Sequence, residues 1–155
     1  MSEPRQKPGQ SKQDYGTPIA FLHAVESRFG KIDFDLAARG DNCVTLDHYT
    51  PEQDSLTQDW TLPGVRVAFL NPPFGDIEPW AAKLSTCALL PRWTLMLVPA
   101  SVDSHWYRDH VLGKMMIWGI PRMQFVGGES SYPKALMLCG AGFGVHGFGY
   151  WAWKR

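Results

Sequence analysis

Asn71-Pro72-Pro73-Phe74-Gly75 stands directly after Val65-Arg66-Val67-Ala68-Phe69-Leu70. An amide, two prolines and an aromatic ring in that order can grip a planar amine. The Asn71 side-chain carbonyl and the Pro72 backbone carbonyl offer two acceptors for its N–H groups, and the face of Phe74 offers stacking. The prolines supply stiffness: neither has a backbone N–H, each fixes φ, and Pro72 pushes Asn71 toward an extended conformation. A plainer account makes the string a strand-ending turn with no chemistry. Against it, a string of this composition arises seldom by chance when proline is only about 5% of residues.

Such a loop needs a strand to carry it. Val65 to Leu70 is β-branched and aromatic enough to be one, buried, and the prolines end it. In open α/β sheets the carboxyl edge of a strand is where ligands bind. Upstream, Thr17 is suited to an N-cap and Pro18 to a first helical residue, with Phe21, Leu22, Val25 and Phe29 on one face and Gly30 as the stop. A helix N-terminus can also receive a carboxylate. Ile32 to Leu36 is the next strand, running into Ala37-Ala38-Arg39-Gly40-Asp41. No Gly-x-Gly marks this turn, but Ala37 and Ala38 are small enough for close approach of a ligand, and Asp35 can accept from an amino group. Cys43 to Leu46 is a short strand at best, and Asp41 and Asp47 compete as ribose ligands. Pro51 to Trp60 is turn-like and acidic. Its closing Asp59-Trp60 fits two accounts: an acid and a ring for adenine, or a solvated loop anchored by a core tryptophan.

Beyond the Pro-Pro loop, Trp80, Leu84, Cys87 and Ala88 mark a helix over 79–90, and Leu95 to Val98 is a strand covered on both faces. Ser101 is placed to cap a helix carrying Trp106, Tyr107 and Val111 and stopped by Gly113. His105 and His110 lie on it as surface or packing residues. Met115 to Trp118 and Ala135 to Cys139 are strands, joined through a short piece at 124–126 and a polar loop at 127–133, which suggests a hairpin at the sheet edge. From Gly140 onward five glycines alternate with aromatics. A strand, a nucleic-acid-contacting tail and a poorly ordered end all fit that pattern. Residues 1–14 read as a disordered polar arm in which Arg5, Lys7 and Lys12 are the cations.

The 155 residues suffice for one domain with a real core. We divide them into the arm, a domain over 15–139, and a Gly/aromatic segment over 140–155 that is part of the domain or appended to it. Fifteen basic and fifteen acidic side chains cancel, so any basic face must be local. The three cysteines form no Cys-x-x-Cys pair and read as reduced thiols of an intracellular protein, with no metal site. Neither a signal peptide nor a bilayer-spanning run is present, which points to a cytoplasmic protein without membrane association. No obligatory protein partner is evident.

The tetrapeptide resembles the (Asn/Asp/Ser)-Pro-Pro-(Tyr/Phe) signature of methyltransferases that modify exocyclic or amide nitrogens. With asparagine first, it is closer to the adenine-N6 and glutamine-amide branches than to the cytosine-N4 branch. The ordered series Thr17-Pro18, Asp35 to Ala38, Asn42-Cys43, Asp54 through Asp59-Trp60, Asn71 to Phe74, Trp80, and Leu97 to Ala100 with Trp106 resembles the phage-type DNA N-6-adenine methyltransferase (Dam-like) family. The likeness runs from about Tyr15 to Cys139, taking in Arg122 to Phe125 and Pro133 to Ala135. It implies a Rossmann-like α/β sheet, mostly parallel with an antiparallel edge hairpin and with helices on both faces. It also implies S-adenosyl-L-methionine as methyl donor, no metal, and adenine in DNA as acceptor, in a phage or prophage protein.

Carried onto this chain, the resemblance makes Asn71, Pro72, Pro73 and Phe74 the catalytic loop. It makes Thr17, Pro18, Asp35, Leu36, Ala37, Asp59, Trp60 and Asn71 the donor contacts, with Arg122 and Lys134 at DNA phosphates. Two departures stand out: Phe74 in place of the commoner tyrosine, and the missing Gly-x-Gly. Two other readings of the same residues remain: a methyltransferase of a glutamine amide or of RNA adenine, and a non-catalytic nucleic-acid-binding domain.

Overall fold

The computed structural model describes residues 16–39 and 43–154. The arm with Arg5, Lys7 and Lys12, together with Tyr15, Gly40, Asp41 and Asn42, lies outside the described residues. One six-stranded sheet organises the rest, with strands β1 (Phe34–Asp35), β2 (Val67–Leu70), β3 (Trp93–Pro99), β4 (Met116–Ile120), β5 (Leu136–Ala141) and β6 (Gly147–Tyr150) in the spatial order β1-β2-β3-β5-β4-β6. β5 runs against β3 and β4, while β1, β2 and β3 are mutually parallel and β6 is parallel to β4. Five strands therefore point the same way. Their carboxyl ends, and the start of β5, share one edge of the sheet.

Period-two alternation divides the core between the two faces. Val67, Phe69, Leu95, Leu97, Leu136 and Leu138 face helix α1 (Ile19–Phe29) through its Phe21 and Val25. Ala68, Leu70, Met96, Val98 and Met137 face the other way, onto Ala81 and Leu84 of helix α2 (Glu78–Ser85) and onto Tyr107 and Val111 of a five-residue π-helical turn. Helices thus cover both faces, as the resemblance implies.

Local chemistry accounts for the boundaries that differ from the sequence reading. α1 starts at Ile19 because Pro18 is extended, with ψ 136°; it occupies the cap position itself, so Thr17 is not the N-cap. Gly30 closes the helix at φ 107°, as expected. α2 stops at Ser85, five residues short of the predicted end. There the hydroxyls of Ser85 and Thr86 donate to the carbonyls of Ala82 and Lys83, and the chain continues in tighter i→i+3 turns to Leu90. The helix expected after Ser101 is the π-turn Tyr107–Val111; it is the Ser104 hydroxyl that accepts the Tyr107 N–H, and Gly113 follows at φ 75°. Residues 43–46 form a bend and not a strand, with β1 bridged instead to His48.

The predicted hairpin is β4–β5. It does not end the sheet, because the glycine–aromatic segment supplies β6 outside it, so Gly147–Tyr150 of that segment is a strand. Its glycines are sterically required in places. At Gly142 (φ 153°) a Cβ would collide with the Arg92 carbonyl, and at Gly140 it would meet the Trp118 ring at 2.7 Å.

Candidate active site

Asn71 leaves β2 at the shared carboxyl edge, with Pro72 buried behind it and Pro73 half-buried. Its Nδ2 donates to the Thr17 hydroxyl oxygen at 3.1 Å, across 54 positions of sequence. That contact does two things. It fixes the rotation of the Asn71 amide, and it seats the Thr17-Pro18 entry of α1 against the Pro-Pro loop. The Gly16 backbone is tied in turn to Val126 by a reciprocal pair of hydrogen bonds, at 3.2 and 3.0 Å.

Phe74 sits in a cluster of three rings. It meets Tyr132 edge-on at 5.4 Å and Phe125 at 6.0 Å, and those two meet each other at 5.7 Å. Edge-to-face packing of this kind holds a ring in place without covering both of its faces. Beside the cluster opens a cleft of about 260 Å³ whose walls include Phe74, Glu78, Pro99, Trp106, Tyr132 and Lys134. Tyr132 is half-buried, and burial pushes its phenol above the ordinary value of 10.0, so it remains a protonated donor.

Asp35 ends β1 two strand positions from this loop and is buried. Its Oδ1 accepts the Ala37 N–H at 3.0 Å and its Oδ2 accepts the Val44 N–H at 2.8 Å. The carboxylate thereby folds the turn that follows β1, a task the sequence reading did not give it. Burial raises its pKa above the ordinary 3.8, against the lowering effect of those two backbone bonds and of His48. Leu36 points into the core and Ala37 is half-buried at the start of the turn.

A raised carboxyl pKa means that the folded state holds the proton more tightly than the unfolded one. Asp35 therefore withdraws stability as pH rises from 3.8 through its folded value, and the withdrawal is complete above that. We expect the stability of Asp35→Asn, measured by urea unfolding from pH 3.5 upward, to gain steadily on that of the native chain across this window. Parallel curves would exclude the effect.

Asp59 and Trp60 are placed elsewhere. Trp60 is only 2% exposed, donates its indole N–H to the Ser55 carbonyl at 2.9 Å and packs beside Trp80. With its ring enclosed by protein, it has no face for a ligand. The carbonyl of Trp60 accepts from the buried Arg92 guanidinium, which also donates to the Thr61 and Leu62 carbonyls at 2.9 and 3.3 Å. Arg92 immediately precedes β3, so this segment lies where β2 and β3 begin, at the edge opposite Asn71. Asp59 is exposed there. Its carboxylate accepts the Thr61 N–H at 2.9 Å, which holds its pKa below the ordinary value. Asp59 and Trp60 are thus corrected from donor contacts to a loop and its core anchor.

Arg122 follows β4 and reaches toward the Pro133 carbonyl at 3.4 Å, and Lys134 borders the cleft just before β5. The sequence reading missed Tyr132 and Phe125 as partners of Phe74. Their one local signal was an aromatic set directly before Pro133-Lys134 and a strand. Among the described residues no cluster of His, Cys, Asp and Glu has the makings of a metal site. No helix among them is long and apolar enough to cross a membrane.

The chain is 30% identical over 98 residues to a protein of Haemophilus phage HP1 (strain HP1c1) named DNA N-6-adenine-methyltransferase. The match takes in 62% of this chain and 55% of that protein, so the chain spans about half the length of the relative it matches. A family model described as DNA N-6-adenine-methyltransferase (Dam) matches residues 5–136, from the N-terminal arm through the Pro-Pro loop to the start of β5. The chain belongs to the DNA N-6-adenine-methyltransferase (Dam) family.

Proposed function

We propose that this protein transfers a methyl group from S-adenosyl-L-methionine to the N6 amine of adenine in DNA, acting directly on a base flipped out of the duplex, and that it serves a phage or prophage. The observation that carries the reading is the Thr17–Asn71 hydrogen bond beside the Phe74 cleft. It fixes the amide that leads into the Pro-Pro loop, whose Phe74 walls the cleft at the edge of the sheet where ligands bind.

The residues at the ends of β1 and β2 suit the donor. The turn after β1, folded by the Asp35 carboxylate and carrying the small Ala37, and the Thr17–Asn71 pair after β2 would hold it. When bound, the donor supplies an electrophilic methyl group on a sulfonium. The chain's own part is to make adenine N6 a better nucleophile. The N6 lone pair is delocalised into the ring, and acceptance of its two N–H groups by the Asn71 Oδ1 and the Pro72 carbonyl favours a more tetrahedral nitrogen aimed at the methyl. A base outside the stack costs a few kcal/mol, offset by the ring cluster and the loop's hydrogen bonds. Trp106 and Tyr132 would line the space that receives it.

The test is incubation with tritiated S-adenosylmethionine and, in parallel, adenine-containing DNA, RNA and a protein extract. Label in DNA, recovered as N6-methyladenine, is expected. Label confined to RNA or to glutamine amides would replace this reading. Phe74→Ala should lose roughly 1–3 kcal/mol of stacking, seen as a rise of about 5- to 150-fold in the KM for DNA, while Phe74→Tyr should stay within a few-fold of the native chain. An unchanged KM in Phe74→Ala would remove Phe74 from the base site.

A further inference from the structure

The C-terminal segment is the part of the chain whose purpose neither the sequence nor the proposed chemistry accounts for. After β6 the chain does not leave the domain. The Trp151 N–H donates to the Gly119 carbonyl at 2.8 Å, and the rings of Trp151 and Trp153 pack on Phe21 of α1 at 6.0 and 5.2 Å. Arg28 lies over the Trp151 and Trp118 rings at 5.1 Å each, pinning the segment from α1's last turn. So anchored, the chain delivers the Lys154 ammonium to the Arg122 carbonyl at 3.2 Å.

Topology makes this position meaningful. β6 is parallel to β4, so Lys154 after β6 and Arg122 after β4 emerge at the same edge, and antiparallel β5 brings Lys134 there from the other side. All three are exposed, and Lys134 is itself in the wall of the cleft. The cleft's wall also includes Asp76 and Glu78, at the start of α2. Glu129 is the acid on the β4–β5 connection. In a chain with no net charge, Arg122, Lys134 and Lys154 thus gather at one edge of the sheet, with Lys134 in the cleft wall.

We propose that Trp151 to Lys154 act as a clamp that holds Lys154 beside Arg122 and Lys134, forming a rim for the phosphate backbone of the DNA whose base enters the cleft. This rests on the reading of the protein as a DNA methyltransferase and extends it to the C-terminal segment. Phosphate contacts of this kind set position and affinity and carry no sequence information. Removal of one such contact should lower the salt dependence of binding by about 0.9 in the slope of log K against log salt, which at 0.1 M salt is about an eightfold loss of affinity.

The experiment measures binding of the full-length chain to fluorescent duplexes with and without adenine-methylation targets, from 50 to 300 mM NaCl, alongside steady-state methyl transfer. Truncation would strip aromatic packing from α1, so point variants are used: Lys154→Ala, Lys154→Arg, and Arg66→Ala as a control at the far edge of the sheet. The expected result is a slope lower by about 0.9 and an affinity about eightfold weaker on both duplexes for Lys154→Ala, with KM for DNA raised and kcat at saturating DNA retained. Lys154→Arg and Arg66→Ala should match the native chain. A folded Lys154→Ala with the native slope and KM overturns the proposal, as does an equal loss of slope in Arg66→Ala. If the native chain binds duplex but transfers no methyl group to it, the methyltransferase reading fails, and the slopes alone then decide the rim. If it binds no duplex, both fail.

Discussion

Replacement of Asn71 by alanine should lower kcat for methyl transfer by at least about 100-fold, the scale on which loss of one preorganised polar contact to a reacting group is felt, with the fold left intact. The side chain is half-buried at the end of β2 and makes no contribution to either apolar face of the sheet, so its loss removes a polar grip and little packing. Asn71→Asp separates the two tasks of the amide. A carboxylate still accepts from an amine, and the Thr17 hydroxyl can turn to donate where it now accepts. Activity between that of the native chain and that of Asn71→Ala is therefore expected. Tritium incorporation into DNA, read beside near-ultraviolet circular dichroism, decides the matter. Near-native incorporation by folded Asn71→Ala would sink the role assigned to the loop.

The second large effect concerns stability. Arg92 is 4% exposed, and its guanidinium is held by the carbonyls of Trp60, Thr61 and Leu62 and by the Thr94 hydroxyl at 3.3 Å. Arg92→Ala leaves those carbonyls without their donor and removes the tie that holds the Trp60–Leu62 segment to the start of β3. A loss of roughly 3–5 kcal/mol is expected, since each buried acceptor left unpaired costs about 1–3 kcal/mol. Arg92→Lys should recover only part, because a single ammonium cannot match the guanidinium fork. Urea denaturation would show the cost as a lowered midpoint at unchanged slope. A midpoint shift below the equivalent of 1 kcal/mol would mean that water replaces the guanidinium.

Much of the site could be read from local sequence because its physics is local. The Val65–Leu70 strand and the two prolines that end it need no distant partner to be recognised, and the Phe21/Val25/Phe29 stripe with Gly30 describes α1 almost to the residue. What escaped detection depends on contacts between residues far apart in the chain. Thr17 has the composition of a cap, and only its meeting with Asn71 shows that the hydroxyl serves the loop. Asp59-Trp60 has the composition of an adenine site, yet a guanidinium 32 residues away holds that tryptophan at the wrong end of the sheet. Tyr132 stood in a polar loop, and its value comes from Phe74. Periodicity identifies a face and a boundary. It does not say which distant side chain will lie against them.

The insertion of β5 between β3 and β4 also dictates an order of assembly. β4 pairs only with β5 and β6, both encoded after it. On a ribosome, the first three strands can join one another as they emerge, while Met116 to Ile120 must wait with both sides bare until Ala141 has been added. At 5–20 residues per second that wait is roughly one to four seconds. During it an apolar, unpaired strand is open to mispairing with neighbouring nascent chains.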